Sequence, residues 1–244
     1  MTPGEVLVLF GGGLVAGAVN AIAGGGSLIT FPLLVGLGLP GVAANVSNAL
    51  SVAPGYAASA VGSRPDLVGQ GPRVRMIVPV AVLGTLCGSA VLLFTPRSVF
   101  DFVVPFLLLG AAALMALQNR LRFSGGSSPR RATLLTVFLC GCYGGYFNAA
   151  MGVLLIAGLG LVLDESLQRI SALKNVFSAV VGVTTVLLYS VFGPVDWAVV
   201  AVLGPATIVG GFFGARLTRR LPAEGLRWTI VGFATVVAVV LLLS

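Results

Sequence analysis

Apolar residues run in ten blocks, at about 5–25, 27–39, 41–62, 73–94, 98–119, 131–149, 151–163, 166–192, 196–216 and 226–243, and the connections between them hold most of the charge. Blocks of this length predict transmembrane helices, because crossing a hydrocarbon core of ~30 Å takes about 20 helical residues. Two are too short. Ser27 to Leu39 supplies 13 residues and Gly152 to Leu163 supplies 12, enough for roughly 18 to 20 Å at 1.5 Å each. The pattern predicts an all-α integral membrane protein with eight full helices and two half-helices that reach partway.

The short blocks hold matching places in an internal repeat. "GAVNAIAGGGSLI" (17–29) resembles "GYFNAAMGVLLI" (145–156), aligning Asn20 with Asn148, and "VSNALSVAPG" (46–55) resembles "LKNVFSAVVG" (173–182). The repeat divides a single membrane domain into 1–125 and 126–244, with five blocks in each. An odd number of blocks makes the second copy enter from the opposite side. Loop charge gives an independent check. Three connections are basic: Arg64, Arg73 and Arg75; Arg120, Arg122, Arg130 and Arg131; Arg216, Arg219, Arg220 and Arg227. Even numbers of crossings separate these three, so all can be cytoplasmic, which leaves 39–41, 95–97 and 192–197 outside with Arg97 as their one basic residue. Both termini are then extracytoplasmic, in a multi-pass protein of the cell membrane.

Composition narrows the class further. The chain is 57% hydrophobic and 9% charged, against roughly 25% charged in soluble domains. No polar run is long enough for an extramembrane domain, and a retained first span is expected because the N-terminus lacks a basic region and a cleavage site. The net charge of +7 comes from loop residues, which the sidedness rule explains, so nucleic acid is not an expected partner. Cys87, Cys140 and Cys142 lie in apolar blocks and there is no histidine. That set predicts neither a metal site nor a disulfide framework, and no cofactor is expected.

The glycines Gly24, Gly25 and Gly26 interrupt a hydrophobic segment just before the first short block. Broken helix at membrane depth is tolerated only where protein or water shields the backbone, so the break is expected to serve a purpose. Ser27 is suited to cap the short helix that follows. The free N–H groups of such a helix, with the positive end of its dipole, would face the membrane interior and favour an anion. The second copy would bring a matching start, near Gly152, from the other side. Close helix packing is the simpler use of these glycines, but the coincidence of break and short block in both halves favours a site.

The following block of each half adds polar side chains. Ser171, Lys174, Asn175 and Ser178 recur at helical spacing, and Ser47, Asn48 and Ser51 take the equivalent places, with Asn45 nearby. Lys174 is the chain's one lysine, about 12 Å into its block. It either contacts the ligand or snorkels to the cytoplasmic interface. The acidic residues all fall at block ends, which leaves Asp101 as the best candidate for proton coupling.

Together "AGAVNAIAGGGSLITFPLL", "GCYGGYFNAAMGVLL", "ALKNVFSAVVG", "GPVDW" and "GGFFGARLTRRLP" resemble the sulfite exporter TauE/SafE family over nearly the whole chain. The resemblance implies transport of sulfite, sulfonates or related sulfur-containing anions, usually outward. Two departures touch the expected site: Ala49 stands where the first copy often has lysine, and the second copy often has more glycine around Ala150 and Met151. The expected function is a secondary transporter, not an enzyme, that binds a small anion through Asn20, Gly24 to Ser27, Ser47, Asn48, Asn148, Gly152, Ser171, Lys174 and Asn175. The bilayer is its other partner, and a homodimer is left open. A passive anion channel is the alternative. A thiol carrier built on "CGC" at 140–142 is disfavoured for lack of a histidine base and a deep acid.

Overall fold

The computed structural model describes residues 1–244 apart from 23, 118–129, 218–222 and 244. Arg120 and Arg122, Arg219 and Arg220, and the boundary expected at 125/126 lie outside the described residues. The chain forms α1 (Pro3–Ile22), α2 (Ser27–Gly36), α3 (Gly41–Gly62), α4 (Gly71–Phe94), α5 (Arg97–Leu117), α6 (Arg130–Tyr146), α7 (Met151–Val162), α8 (Leu167–Phe192), α9 (Trp197–Leu217) and α10 (Ala223–Leu243). A single 3-10 turn, Arg64–Leu67, joins α3 to α4.

The ten elements fall on the ten apolar blocks, and α2 and α7 are short, with 10 and 12 residues. Among the described residues, five helices are long and apolar enough to cross a bilayer by length and composition alone, namely α1, α4, α5, α8 and α9. Polar chemistry accounts for α3 falling outside that set. It has 22 residues, but Asn45, Ser47, Asn48 and Ser51 are polar and buried within it. The surface is inverted relative to a soluble domain. Phe94, Phe102, Leu187, Val191, Phe192 and Phe213 are exposed while Asn20, Asn48, Asn148 and Lys174 are buried, an arrangement suited to lipid outside and a polar seam within.

Glycine spacing sets the main helix pairs. Gly13 and Gly17 on α1 face Gly210, Gly211 and Gly214 on α9, while Gly84 and Gly88 on α4 face Gly141 and Gly145 on α6. A Cβ at Gly17, Gly210 or Gly214 in the first pair, or at Gly84, Gly88 or Gly145 in the second, would overlap the partner's backbone, so these small-xxx-small stripes allow the helices to touch directly. Next to these, α3 lies against α8 and α9, α8 against α4, and α5 against α10.

Polar connections collect at two ends. At one end Arg73 bonds Glu165, Arg169 Nε donates to Glu165 at 2.7 Å, and Arg169 Nη1 donates to the Val68 carbonyl at 3.1 Å. At the other the Asp196 N–H donates to Ser47 Oγ at 2.8 Å, and Gly41 lies against Asp101. Residues 64–73 thus group with 165–169, and 41–47 with 101 and 196.

Candidate functional site

The chain reverses between α1 and α2 through the glycine break. Gly24 adopts φ +81°, a left-handed conformation that glycine reaches without a steric penalty. Its N–H closes the end of α1 on the Val19 carbonyl at 3.1 Å. Gly26 packs back against α1, where a Cβ would overlap the Ala16 carbonyl. The Asn20 side chain then accepts the Gly26 N–H at 2.7 Å, which satisfies one of the donors a helix start leaves open. Gly25 sits under Met115 of α5. The expected cap needs correction: Gly26, not Ser27, holds the N-cap position, and Ser27 makes no capping bond. Asn20 takes over that task because the tight turn brings its carboxamide to the helix start before the serine can reach it.

The start of α7 meets this break. A Cβ on Gly24 would lie 2.6 Å from the Gly152 Cα, and a Cβ on Gly152 would lie 2.6 Å from the Gly24 Cα. The two short helices thus begin at one buried point. Ahead of α7, Ala150 has φ +55°, the one positive φ outside glycine among the described residues, a strain of roughly 1–2 kcal/mol for an L side chain. The position where the family resemblance expects more glycine is therefore one where glycine would relieve strain.

Four polar residues surround the crossing. Asn20, Ser27, Asn148 and Lys174 are each at most 3% exposed. Lys174 Nζ donates to the Asn20 carbonyl at 2.9 Å and reaches the Ala21 carbonyl at 3.5 Å, and its Cδ would be 3.0 Å from a Cβ on Gly152. It does not snorkel. Its ammonium caps the C-terminal end of α1, where the helix dipole is negative, directly behind the two short helix starts.

The other expected residues are spread more widely. Asn48 accepts a hydrogen bond from Thr30 of α2, so it braces the short helix one turn beyond its start. Asn175 donates to Ser63 Oγ at 2.6 Å and links α8 to the far end of α3. Ser47 holds the Asp196 N–H at the other end, and Ser171 is half-buried near Arg169. The structure thus places Ser47, Ser171 and Asn175 away from the crossing, because neighbouring helical residues point about 100° apart, so Asn175 beside Lys174 turns to Ser63 and Ser47 beside Asn48 turns to Asp196. Cys140 and Cys142 flank Gly141 in the α4–α6 seam, where their small size serves packing.

Three tyrosines, Tyr56, Tyr143 and Tyr189, had no role in the reading of the sequence. Tyr56 Oη donates to Asn148 Oδ1 at 3.0 Å, and its hydroxyl faces Ser27. Ser27 Oγ and Asn148 Nδ2 are buried without a hydrogen-bond partner of ordinary geometry. Asn45 Nδ2 donates to the Tyr146 carbonyl at 2.9 Å, Tyr143 to the Ala149 carbonyl at 2.7 Å, and Tyr189 to the Gly145 carbonyl. The spacing of Asn45, Asn48, Val52 and Tyr56 at three and four residues could have drawn attention to Tyr56. Toward the end where Gly41 meets Asp101, a cavity of about 350 Å³ is lined by Phe31, Val35, Gly41, Asp101 and Val104. Phe31 packs edge-on against Phe147 at 5.2 Å, next in the chain to Asn148.

At the ion-paired end, the Arg73 guanidinium bonded to Glu165, together with Arg169, holds that carboxyl below its usual range.

Known proteins place this arrangement in a family. The profile described as sulfite exporter TauE/SafE matches residues 9–241. The chain is 28% identical over 243 residues to the "Probable membrane transporter protein ORF9" of a Sinorhizobium species, covering 96% of this chain and 91% of that protein. It is 24% identical over 217 residues to the "Probable membrane transporter protein YfcA" of Escherichia coli, covering 88% and 79%. A "Probable membrane transporter protein" of Xylella fastidiosa is 28% identical over 242 residues, covering 92% and 89%. With a match running from within α1 nearly to the end of α10, the chain belongs to the sulfite exporter TauE/SafE family.

Proposed function

We propose that this membrane transporter is a secondary carrier for a small sulfur-containing anion, sulfite or a sulfonate such as sulfoacetate, which it exports across the plasma membrane. The observation that carries the proposal is the meeting of two short helix starts at Gly24 and Gly152, with an ammonium behind them and with buried polar atoms that lack partners. Helix starts and an ammonium both attract negative charge, and little water is present to screen them. The substrate class rests on the family description, and the outward direction on the word exporter within it.

The proposal includes an inverted repeat of α1–α5 and α6–α10, with both termini extracytoplasmic. Its support is the mirrored pairing: α1 on α9 with α6 on α4, α3 on α9 with α8 on α4, and glycine stripes in both principal seams. Pro79 and Pro205 take the ninth place of α4 and α9. Rocking of one half against the other would expose the crossing to each side in turn. The burial of Asn20, Ser27, Asn148 and Lys174 favours this over a channel, which needs a continuous path. In this reading the Arg73–Glu165–Arg169 clasp, tying the start of α4 to the turn between α7 and α8, shuts the cytoplasmic side.

The test is flux into and out of liposomes holding the purified protein, with sulfite, sulfoacetate, taurine and thiosulfate, each with and without a pH gradient. Saturable flux of sulfite or sulfoacetate that accelerates with trans anion supports a carrier. Flux that does not saturate points to a channel, and no flux of any of the four removes the proposal.

A further inference from the structure

We infer that Tyr56, Ser27 and Asn148 form a receptor for one oxygen atom of an oxyanion, with Tyr56 as a specificity-determining residue. The inference rests on the anion-carrier reading and adds to it the substrate's feature that is recognised and the groups that recognise it.

Burial and unmet bonding capacity come first. Ser27 is 1% exposed and Asn148 2%, yet Asn148 Nδ2 has no partner and Ser27 Oγ has only the neighbouring Tyr56 hydroxyl, without a hydrogen bond of ordinary geometry. Two unmatched buried polar atoms facing the same tyrosine are costly, at about 1–3 kcal/mol each, and such groups in a native protein call for a ligand or a function. They come from both halves of the crossing: Ser27 is the first residue of α2, while Asn148 precedes α7. Tyr56 of α3 joins them, bonded to Asn148 Oδ1 at 3.0 Å and facing Ser27.

The donor inventory then selects the ligand. The carboxamide offers N–H bonds that nothing accepts, the serine hydroxyl has no acceptor other than the Tyr56 oxygen beside it, and the tyrosine hydroxyl can turn from Asn148 to a better acceptor. A terminal oxygen of sulfite, a sulfonate or a carboxylate accepts from all three, whereas an ammonium or an amide N–H finds few open acceptors. The three groups are neutral, so the charge balance falls to Lys174, whose ammonium is held behind the crossing by the carbonyls of Asn20 and Ala21. Recognition and charge compensation are thus carried by different residues. On arrival of the oxyanion the Tyr56 hydroxyl exchanges Asn148 Oδ1 for the anion's oxygen. A hydrogen bond from tyrosine to a charged acceptor is of the stronger kind, so its loss weakens binding about tenfold.

The experiment is sulfite and sulfoacetate flux in liposomes for the wild type, Tyr56→Phe, Ser27→Ala and the double variant. The expected result is a KM for both anions raised about tenfold by Tyr56→Phe with Vmax within twofold of wild type. Ser27→Ala should add less in the Tyr56→Phe background than alone, because both groups hold one atom. A KM unchanged in both single variants overturns the inference while leaving the carrier reading intact. So does a fall in Vmax with KM unchanged, which is what loss of a purely structural bond would give. Absence of flux in the wild type removes both.

Discussion

The two helix starts at the crossing share a place in the fold but not a chemistry. Before α2 the chain turns through three glycines, Gly24 takes a left-handed φ without strain, and Asn20 pins the Gly26 N–H. Before α7 an alanine takes the left-handed φ, and the corresponding Asn148 turns to Tyr56 instead. The preceding helix ends differ as well. The last carbonyls of α1 are met by the amino group of Lys174, while the carbonyls of Gly145 and Tyr146 at the end of α6, and of Ala149 beyond it, are met by the neutral groups of Tyr189, Asn45 and Tyr143. The backbone device is used twice, and the formal charge is delivered once. A pair of matched helix starts can therefore attract an anion while a single lysine sets how much charge they hold.

The sharpest way to break the comparison is to add a methyl group on each side. Gly24→Ala meets both a positive φ and the Gly152 backbone at 2.6 Å, so folded yield in detergent should collapse and flux with it. Gly152→Ala meets the same backbone, but its second contact is the movable Lys174 Cδ and no positive φ is involved. A variant that remains partly folded is expected there, with size-exclusion yield and Tm as the measurements. Equal losses at the two positions would mean that the φ of Gly24 contributes nothing.

Charge separates the halves next. Lys174→Ala is expected to lower anion flux at least tenfold with the protein still folded, whereas Tyr189→Phe, which removes a neutral cap, should cost about 1 kcal/mol of stability and leave the KM for sulfite in place. Flux unaffected by Lys174→Ala would take the lysine out of the site. The paired asparagines should divide in the same way. Asn20→Ala removes a helix-start bond worth ~1 kcal/mol and is expected to show mainly in Tm, while Asn148→Ala should show mainly in KM.

The smallest effects come from making the halves more alike and from the clasp. Ala150→Gly relieves the left-handed alanine at a cost in chain entropy, for a net gain of roughly 0.5–1 kcal/mol visible as a raised Tm. Glu165→Gln should cost no more than about 1 kcal/mol. Its sign with pH is fixed by the lowered carboxyl: the folded state gains from the clasp at pH values above the ordinary carboxylate range, and that gain is lost as pH falls through the lowered pKa. A thermal-stability difference between wild type and Glu165→Gln should accordingly be present at neutral pH and vanish on strong acidification.

Much of this was legible along the chain. The ten helices coincide with the ten apolar blocks because hydropathy and length leave few other ways to satisfy a backbone in lipid. The breaks before α2 and α7 were visible as glycine or short-block anomalies. The spacings Gly13–Gly17, Gly84–Gly88, Gly141–Gly145 and Gly210–Gly214 also stood in the open as a packing signal. Helical periodicity grouped Ser171, Lys174, Asn175 and Ser178 on one helix and Ser47, Asn48 and Ser51 on another. It could not say which of them reach the crossing.

What the sequence alone determined was an all-helical membrane chain of the TauE/SafE family with two helices too short to cross, since lipid imposes length, apolarity and backbone closure on every segment by itself. Tertiary structure decided the rest. Lys174 finds its partners on a helix more than 150 residues earlier in the chain, and Asn175, its neighbour, bonds Ser63 instead. Such choices depend on how closely glycine seams bring helices together and at what depth two ends meet, and these distances exist only once all the helices have packed.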